Sequence, residues 1–126
     1  MRGEKMSKKL LVISNHEPSK WSEKQREGWD DIQYFPFPNV SPQKGVAEII
    51  TDEVSKICGE IGRFYSTCDE DGSEGFVTLQ GEFTVCKYVF DALHGENVKF
   101  IFPTTERKVV EKDGTKTSIF EFVKWR

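Results

Sequence analysis

The sequence predicts an α/β fold, with a Rossmann-like, mostly parallel sheet, helices on both of its faces and a C-terminal β-hairpin. Short apolar runs alternate along the chain with segments of helical periodicity, which is typical of βαβ units. Near the C-terminus, Asp113-Gly114 separates two strand-like runs and is a strong signal of a tight hairpin turn. The length of 126 residues suits one domain, which we predict over residues 9–126 after a flexible extension at residues 1–8.

The first elements follow from apolar runs and polar boundaries. Residues 9–14 (KLLVIS) form a continuous apolar run that predicts a strand buried on both faces. Ser19 or Ser22 can cap a short helix over residues 21–29. Residues 32–37 (IQYFPF) predict a second strand, which a proline places near its end or at a sheet edge.

The middle of the chain predicts a helix followed by a polar loop. Apolar residues recur at helical spacing over residues 44–57, and Gly59 with Gly62 is expected to end this helix. A short strand over residues 62–67 is a further expectation. Residues 68–75 (CDEDGSEG) are expected to form a solvated loop, and they lack the glutamate at position twelve that a calcium-binding EF-hand loop needs.

The last third predicts two more buried strands around a helix. Residues 76–80 read as a strand, Thr84 opens a helix, and Gly95 is its expected stop. Residues 98–102 (VKFIF) predict the next strand, after which the hairpin closes the domain. The predicted order is therefore β-α-β-α-β-α-β and a hairpin, with right-handed crossovers.

Composition excludes several classes of function. The 18 basic and 21 acidic side chains are spread along the chain and give a net charge of -3, so we expect no binding of long duplex nucleic acid. The apolar run after the basic N-terminus is too short for a signal peptide or a membrane span, which predicts a cytoplasmic protein without membrane contact. Cys58, Cys68 and Cys86 are widely spaced and predict reduced structural thiols, with no metal site and no cofactor.

Polar segments follow two of the predicted strands, LQGEFT at residues 79–84 and FPTTER at residues 102–107. Open α/β sheets bind ligands at the carboxyl ends of parallel strands, where helix N-termini attract anions. A ligand that contains phosphate is therefore the first candidate.

The first segment contributes five candidate ligand-binding residues, Gln80, Gly81, Glu82, Phe83 and Thr84. The glycine permits close approach of a ligand to the backbone, and the threonine is expected to cap the following helix. The segment lacks the three-glycine dinucleotide fingerprint and the lysine of a P-loop, which argues against NAD binding and ATP hydrolysis by those routes. A tight turn followed by an ordinary helix cap is the open alternative.

The second segment offers two hydroxyl groups, on Thr104 and Thr105, beside the guanidinium of Arg107, and such donors suit phosphate oxygens. An exposed polar loop explains the same residues equally well. Ser14 and Asn15, with His16, end the first predicted strand. Because the carboxyl ends of parallel strands meet at one edge of a sheet, we expect the three segments to converge there.

His16 is the one histidine placed for proton chemistry near neutral pH. His94 falls late in a predicted helix, where it is expected to interact with the helix C-terminus. His16 can equally be a hydrogen-bonded loop residue, because no partner for acid-base catalysis is evident. No Ser-His-Asp or Cys-His set can be assigned.

Four segments of the chain resemble a family of small CRISPR-associated proteins related to the CARF domains, which include the single-domain ring nucleases. These segments are WSEKQREGW, IQYFPFPNVSP, LQGEFT and FPTTERKVVEKDGTKTSIFEFVKWR. The resemblance spans residues 9–126, and GEFT, TTER and FEFV are its most specific parts.

The resemblance implies a CARF-like homodimer that binds cyclic oligoadenylate, the second messenger of type III CRISPR immunity, across its two-fold axis. Cleavage in such proteins needs no metal, since a ribose 2′-hydroxyl attacks the neighbouring phosphate. It implies His16, Thr105 and Arg107 as catalytic residues. Ligand binding would fall to Ser14, Asn15, Thr104 and the segment from Gln80 to Thr84.

Three hypotheses therefore stand in order. The first is a ring nuclease that switches off type III CRISPR signalling. The second is a cyclic-oligoadenylate sensor without catalysis, because no acid-base pair is evident. The third is a structural or partner-binding α/β protein. The net acidic charge and the acidic segment at residues 68–75 support this hypothesis.

Overall fold

The computed structural model describes residues 6–126 and contains a three-stranded parallel sheet, a set of helices and a separate antiparallel hairpin. The α/β class and the C-terminal hairpin are thus confirmed. Strands β1 (Lys8–Ser14), β2 (Asp31–Pro36) and β3 (Glu74–Leu79) lie in the order β2-β1-β3. The helices are α1 (Glu23–Arg26), α2 (Val46–Ile49), α3 (Ser55–Asp71) and α4 (Phe83–Ala92). The hairpin consists of β4 (Pro103–Lys112) and β5 (Thr115–Trp125).

One face of the sheet packs against the long helices. Side chains that alternate along β1 and β3, such as Leu11 and Val77, are buried in one cluster with apolar residues of α3 and α4. Alternation along a strand sends every second side chain to the same face. This cluster contains most of the buried apolar side chains of the described chain and fixes where the ends of β1 and β3 lie.

The other face is covered by aromatic side chains, among them Trp29 and Trp125. Leu10 of β1 is fully buried opposite Phe76 of β3. The Trp29 ring packs edge-on against Phe76, with centroids 5.4 Å apart, and also against Trp125 at 5.9 Å. The Trp125 indole N–H donates to the Gln25 carbonyl at 3.1 Å, so the end of the hairpin is fixed to α1.

The main helix is longer than the sequence predicts. Helix α2 continues through a π-helical turn, Ile50–Val54, into α3, so the prediction that Gly59 and Gly62 end it is wrong. Ile57, Ile61, Phe64 and Cys68 recur at helical spacing and are all buried, and this packing outweighs the poor helix propensity of glycine.

The same helix removes two other predicted features. Residues 62–67 are helical rather than a strand, and residues 68–71 form the last helical turn rather than a loop. Gly72 ends the helix in a left-handed conformation (φ 73°), and the Ser73 N–H donates back to the Cys68 carbonyl at 2.9 Å.

Two further elements are shorter than predicted. The helix expected over residues 21–29 is reduced to α1, capped by Ser22 and preceded by a 3₁₀ turn, Pro18–Lys20. The strand expected over residues 98–102 consists of one parallel bridge, between Val77 and Phe100. It ends there because Phe102 exchanges two backbone hydrogen bonds with Arg126, which join this segment to the hairpin.

The hairpin leaves the body of the fold as an exposed arm. Asp113 and Gly114, with φ values of 53° and 79°, form the predicted two-residue turn. Nearly all side chains from Thr105 to Trp125 are exposed, and the ladder has an irregularity at Thr104/Thr105.

Residues 1–5 of the predicted N-terminal extension lie outside the described residues, and β1 begins at Lys8, one residue before the predicted start. In residues 6–126, no helix combines the length and the apolar character needed to cross a membrane.

Candidate functional site

The carboxyl ends of β1 and β3 form a common cavity of about 290 Å³. It is lined by Ser14, Asn15, His16, Gln80 and Gly81, so two of the three predicted segments do converge. The reason lies in the topology, because β1 and β3 are parallel neighbours and end side by side. The Gln80 N–H donates to the Ile13 carbonyl at 2.9 Å, which fixes the two ends together.

The end of β1 is held rigidly by its neighbours. The Ser14 carbonyl accepts hydrogen bonds from the Phe37 N–H at 3.0 Å and from the Tyr34 hydroxyl at 3.1 Å. The buried Ser14 hydroxyl accepts from the His16 N–H at 3.1 Å. Ser14 thus shapes the turn, while the Asn15 and His16 side chains remain exposed at the cavity.

A second cavity of about 360 Å³ adjoins the first and shares Asn15 and His16 with it. Its other lining residues are Glu17, Lys20 and Trp21, which the sequence analysis did not select as site residues. They belong to the 3₁₀ turn and its flanks, which are separated from the end of β1 by Asn15 and His16. The sequence could have indicated these residues by their closeness to His16. Lys20 supplies the cationic group that a phosphate-binding site needs.

Gly81 is required by packing. A Cβ atom at this position would lie 2.4 Å from ring atoms of Phe37, which is buried beneath it. The prediction that this glycine serves close approach of a ligand to the backbone therefore has a competing explanation, the close approach of an aromatic ring. Under either explanation, residues 80 and 81 line the cavity.

The cap of α4 differs from the prediction. Glu82, not Thr84, is the N-cap residue, and its carboxylate accepts from the Val85 N–H at 2.9 Å. This hydrogen bond lowers the pKa of Glu82 below its ordinary value. Thr84 is the second residue of the helix, after Phe83. A negative charge thus already occupies the helix N-terminus where a phosphate group was predicted to bind.

Phe83 is the most exposed large apolar side chain among the described residues, with 89% of its surface accessible. It is the first residue of α4 and follows Gly81 and Glu82 directly. Phe83 does not line the cavity itself, but an exposed aromatic ring two residues after the cavity-lining Gly81 offers a stacking surface for a planar ligand.

Thr104, Thr105 and Arg107 lie on β4 and do not line the cavity. The Thr104 hydroxyl donates to the Lys124 carbonyl at 2.8 Å and accepts from the Lys124 N–H at 3.2 Å. The Arg107 Nε–H donates to the Ser118 hydroxyl at 3.0 Å. The expected convergence of this segment with the other two is therefore not formed within one protomer. The chain does not turn after residue 102 but continues into the hairpin.

Two larger cavities do not coincide with this site. One, of about 750 Å³, lies at the amino ends of β1 and β3, where the Lys8 N–H donates to the Asp30 carboxylate at 2.8 Å. The other, of about 460 Å³, lies at the amino end of β3 and is lined by Tyr65, Glu74 and Lys99 among others. Its polar groups bond one another, since Tyr65 donates to the Gly75 carbonyl at 3.0 Å and accepts from the Lys99 N–H at 2.9 Å. Lys99 also forms an ion pair with Glu74 at 2.7 Å. We select the carboxyl-end cavities because their polar side chains remain available to a ligand.

The described residues offer little to a metal ion. From residue 6 to 126, no group of three or more His, Cys, Asp or Glu side chains is placed to hold one. All three cysteines are free, Cys68 and Cys86 are buried, and burial raises the pKa of each of the three thiols. In the acidic segment, Asp71 pairs with Lys9 and accepts from the Ser73 N–H at 3.0 Å.

Comparison with known proteins gives one match. A family model described as "Uncharacterized protein MJ1673 family" matches residues 8–126. Comparisons with curated proteins and with solved structures gave no match. The matched span runs from the start of β1 to the end of the chain, so it includes both the candidate cavity and the hairpin.

Proposed function

The chain belongs to this MJ1673 family, and we propose that it binds cyclic oligoadenylate as a homodimer and cleaves the ring without a metal ion. The proposal includes a Rossmann-like fold of the CARF-related kind and a role in ending type III CRISPR signalling. It also includes a cytoplasmic location, because free cysteines persist in a reducing compartment. The single observation that carries it is the cavity at which Ser14, Asn15 and His16 meet Gln80 and Gly81.

The side chains around the cavity match the parts of an adenylate unit. Lys20 and the Asn15 amide are donors for phosphate oxygens. Phe83 offers an open ring face for an adenine base. The protein thereby contacts both the charged backbone and a base of the ligand.

Cavity size supports a dimeric site. Small-molecule sites measure about 300 to 1,000 Å³, and the two cavities here, of about 290 and 360 Å³, are at the lower end of that range. A ring of four or six nucleotides is larger than one such cavity. A symmetric ring fits two copies related by a two-fold axis, because each copy presents the same groups.

Cleavage would follow from orientation of the ring. A ribose 2′-hydroxyl attacks the adjacent phosphorus, the bond from phosphorus to the 5′-oxygen breaks, and a 2′,3′-cyclic phosphate and a 5′-hydroxyl remain. The proton of the 2′-hydroxyl is transferred to the departing oxygen, and the exposed imidazole of His16 is the candidate carrier. Holding the attacking hydroxyl in line with the departing oxygen lowers the barrier, together with stabilisation of the charge that develops on the phosphate.

A binding module without catalysis is the second candidate. Two observations favour it, the Glu82 carboxylate at the N-terminus of α4 and the hydrogen bond that holds Arg107 to Ser118 on the hairpin. Both weaken the expected stabilisation of charge at the reacting phosphate. This candidate shares the ligand and the site with the first and differs only in turnover.

The test is incubation of the purified protein with cyclic tetra-adenylate and cyclic hexa-adenylate in EDTA. Binding is read as a rise in melting temperature, and cleavage as loss of the ring on chromatography. A ligand-dependent melting shift with linear product supports the proposal, and a shift with an intact ring establishes the second candidate. Absence of any shift with either ring contradicts both.

The site itself is tested by Phe83→Ala, with Phe120→Ala as the matched control. Both phenylalanines are exposed, but Phe120 lies on β5 away from the cavity. Loss of base stacking costs about 1 to 3 kcal/mol, so Phe83→Ala should weaken binding by about 5- to 150-fold. Equal effects of the two substitutions would place the ligand elsewhere.

A further inference from the structure

The hairpin exposes apolar side chains and an unpaired strand edge. Val109 is 59% exposed and Phe120 is 66% exposed, although both lie in regular strands. In the described chain, β4 pairs with β5 alone, so each strand keeps one free edge. Such edges are templates for another strand, and a two-stranded ribbon is only marginally stable by itself.

The free backbone groups of β4 belong to a defined set of residues. A two-residue turn over Asp113 and Gly114 closes on the pair Lys112 and Thr115. Bonded and non-bonded pairs alternate from such a turn along an antiparallel ladder. The backbone N–H and C=O groups of Arg107, Val109 and Glu111 therefore point away from β5.

The charges of β4 are self-complementary in one register. A two-fold axis perpendicular to the sheet pairs the strand with its own copy in antiparallel orientation and places one residue opposite itself. With Val109 on the axis, Arg107 lies opposite Glu111 of the second copy, and Glu106 lies opposite Lys112 of the second copy. Each opposite-charge pair occurs twice by symmetry.

Neighbouring registers place like charges together. An axis at Val110 puts Lys108 opposite Lys112, and an axis at Arg107, Lys108 or Glu111 puts that residue opposite itself. Like charges directly opposite each other destabilise a sheet. The register on Val109 therefore avoids the repulsion present in each of these alternatives, and it also buries the exposed valine.

We infer that β4 pairs with β4 of a second copy of this chain about Val109, so that the two hairpins form a four-stranded antiparallel sheet. The β4 pairing supplies a surface for the homodimer of the proposed function. Only the link between this dimer and ligand binding rests on that proposed function. The pairing needs no ligand, because its hydrogen bonds and charges lie on the hairpin alone.

The test is the mass of the ligand-free full chain in sedimentation at several concentrations. The unmodified chain should have twice the chain mass. Glu111→Arg places four arginines around the axis and should weaken association by at least tenfold. Arg107→Glu combined with Glu111→Arg should restore it, because the opposite-charge pairs are re-formed with their signs exchanged.

Thr117→Arg is the control, since it adds a positive charge to β5 away from the paired edge. It should leave the dimer intact, and circular dichroism checks that every variant is folded. A monomeric unmodified chain, or a dimer insensitive to Glu111→Arg, overturns the inference. Failure of ligand binding by an intact β4 dimer would instead count against the proposed function alone.

Discussion

The two polar segments LQGEFT and FPTTER have opposite environments in the structure. Residues 79–84 lie on the body of the fold, where Leu79 is buried, Gly81 packs on Phe37 and Glu82 caps α4. Residues 102–107 lead into the exposed hairpin, where Thr104 bonds only to the neighbouring strand. Both segments follow apolar runs, yet only the first ends a strand of the parallel sheet.

The difference shows what a polar segment after a strand indicates. In residues 79–84 the chain turns back over the sheet as α4, so the segment stays at the carboxyl edge. In residues 102–107 the chain pairs with a following strand and is carried onto the hairpin. Sequence composition is alike in the two cases, and the next element of the chain decides the outcome.

The largest expected contrast is in stability. Leu79→Ala removes a buried side chain from the core cluster and should lower the free energy of unfolding by about 3 kcal/mol. Thr105→Ala changes an exposed strand position and should cost about 0.5 kcal/mol or less. Chemical denaturation measures both. Similar losses would show that the hairpin is as tightly coupled to the body as the first segment.

Much of the fold was predictable because buried apolar residues recur at regular spacing along helices and strands. The run KLLVIS predicted β1 within one residue, and Asp113-Gly114 predicted the hairpin turn. The long helix was underestimated because glycine lowers helix propensity locally, whereas the burial of Ile61 and Phe64 is a tertiary effect. The hairpin's exposure was not predictable, since the valine and phenylalanine residues of its strands are equally typical of a covered strand.

The second prediction concerns the glycine of the first segment. Gly81→Ala places a methyl group 2.4 Å from the Phe37 ring and should destabilise the protein by about 1 to 3 kcal/mol. Gly59→Ala is the matched control, because a Cβ there meets no atom within 4 Å and alanine favours the helix. The control should stabilise the protein by about 0.5 to 1 kcal/mol. Thermal and chemical unfolding test both, and a neutral Gly81→Ala contradicts the packing role.

The part of the candidate site that follows from the order of the strands was predictable. Ser14, Asn15 and His16 meet Gln80 and Gly81 because β1 and β3 are parallel neighbours, as the βαβ pattern implied. Sequence reasoning missed Lys20 and Trp21, because they do not follow a strand directly but enter through a 3₁₀ turn. It also assigned the helix cap to Thr84, although the longer side chain of Glu82 reaches the Val85 N–H from outside the helix.

The smallest expected effect tests the charge of Glu82. Its pKa is lowered in the folded chain by the hydrogen bond from the Val85 N–H, so its charged form stabilises the fold above its unfolded pKa, which is about 4.3 for glutamate. That stabilisation is lost as the pH falls through the lowered folded pKa. Glu82→Gln keeps an oxygen acceptor but removes the charge. At pH 7 it should cost about 0.5 kcal/mol, because the exposed carboxylate is partly screened by solvent.

The pH dependence separates this charge effect from loss of the cap itself. The difference in unfolding free energy between the unmodified chain and Glu82→Gln should shrink below about pH 4. A difference that stays constant down to pH 2 would assign the effect to hydrogen-bond geometry instead. The same variant bears on the contrast between the two segments. Removing the negative charge at the start of α4 should strengthen binding of a phosphate-containing ligand, whereas an equivalent change at Glu106 on the hairpin should not.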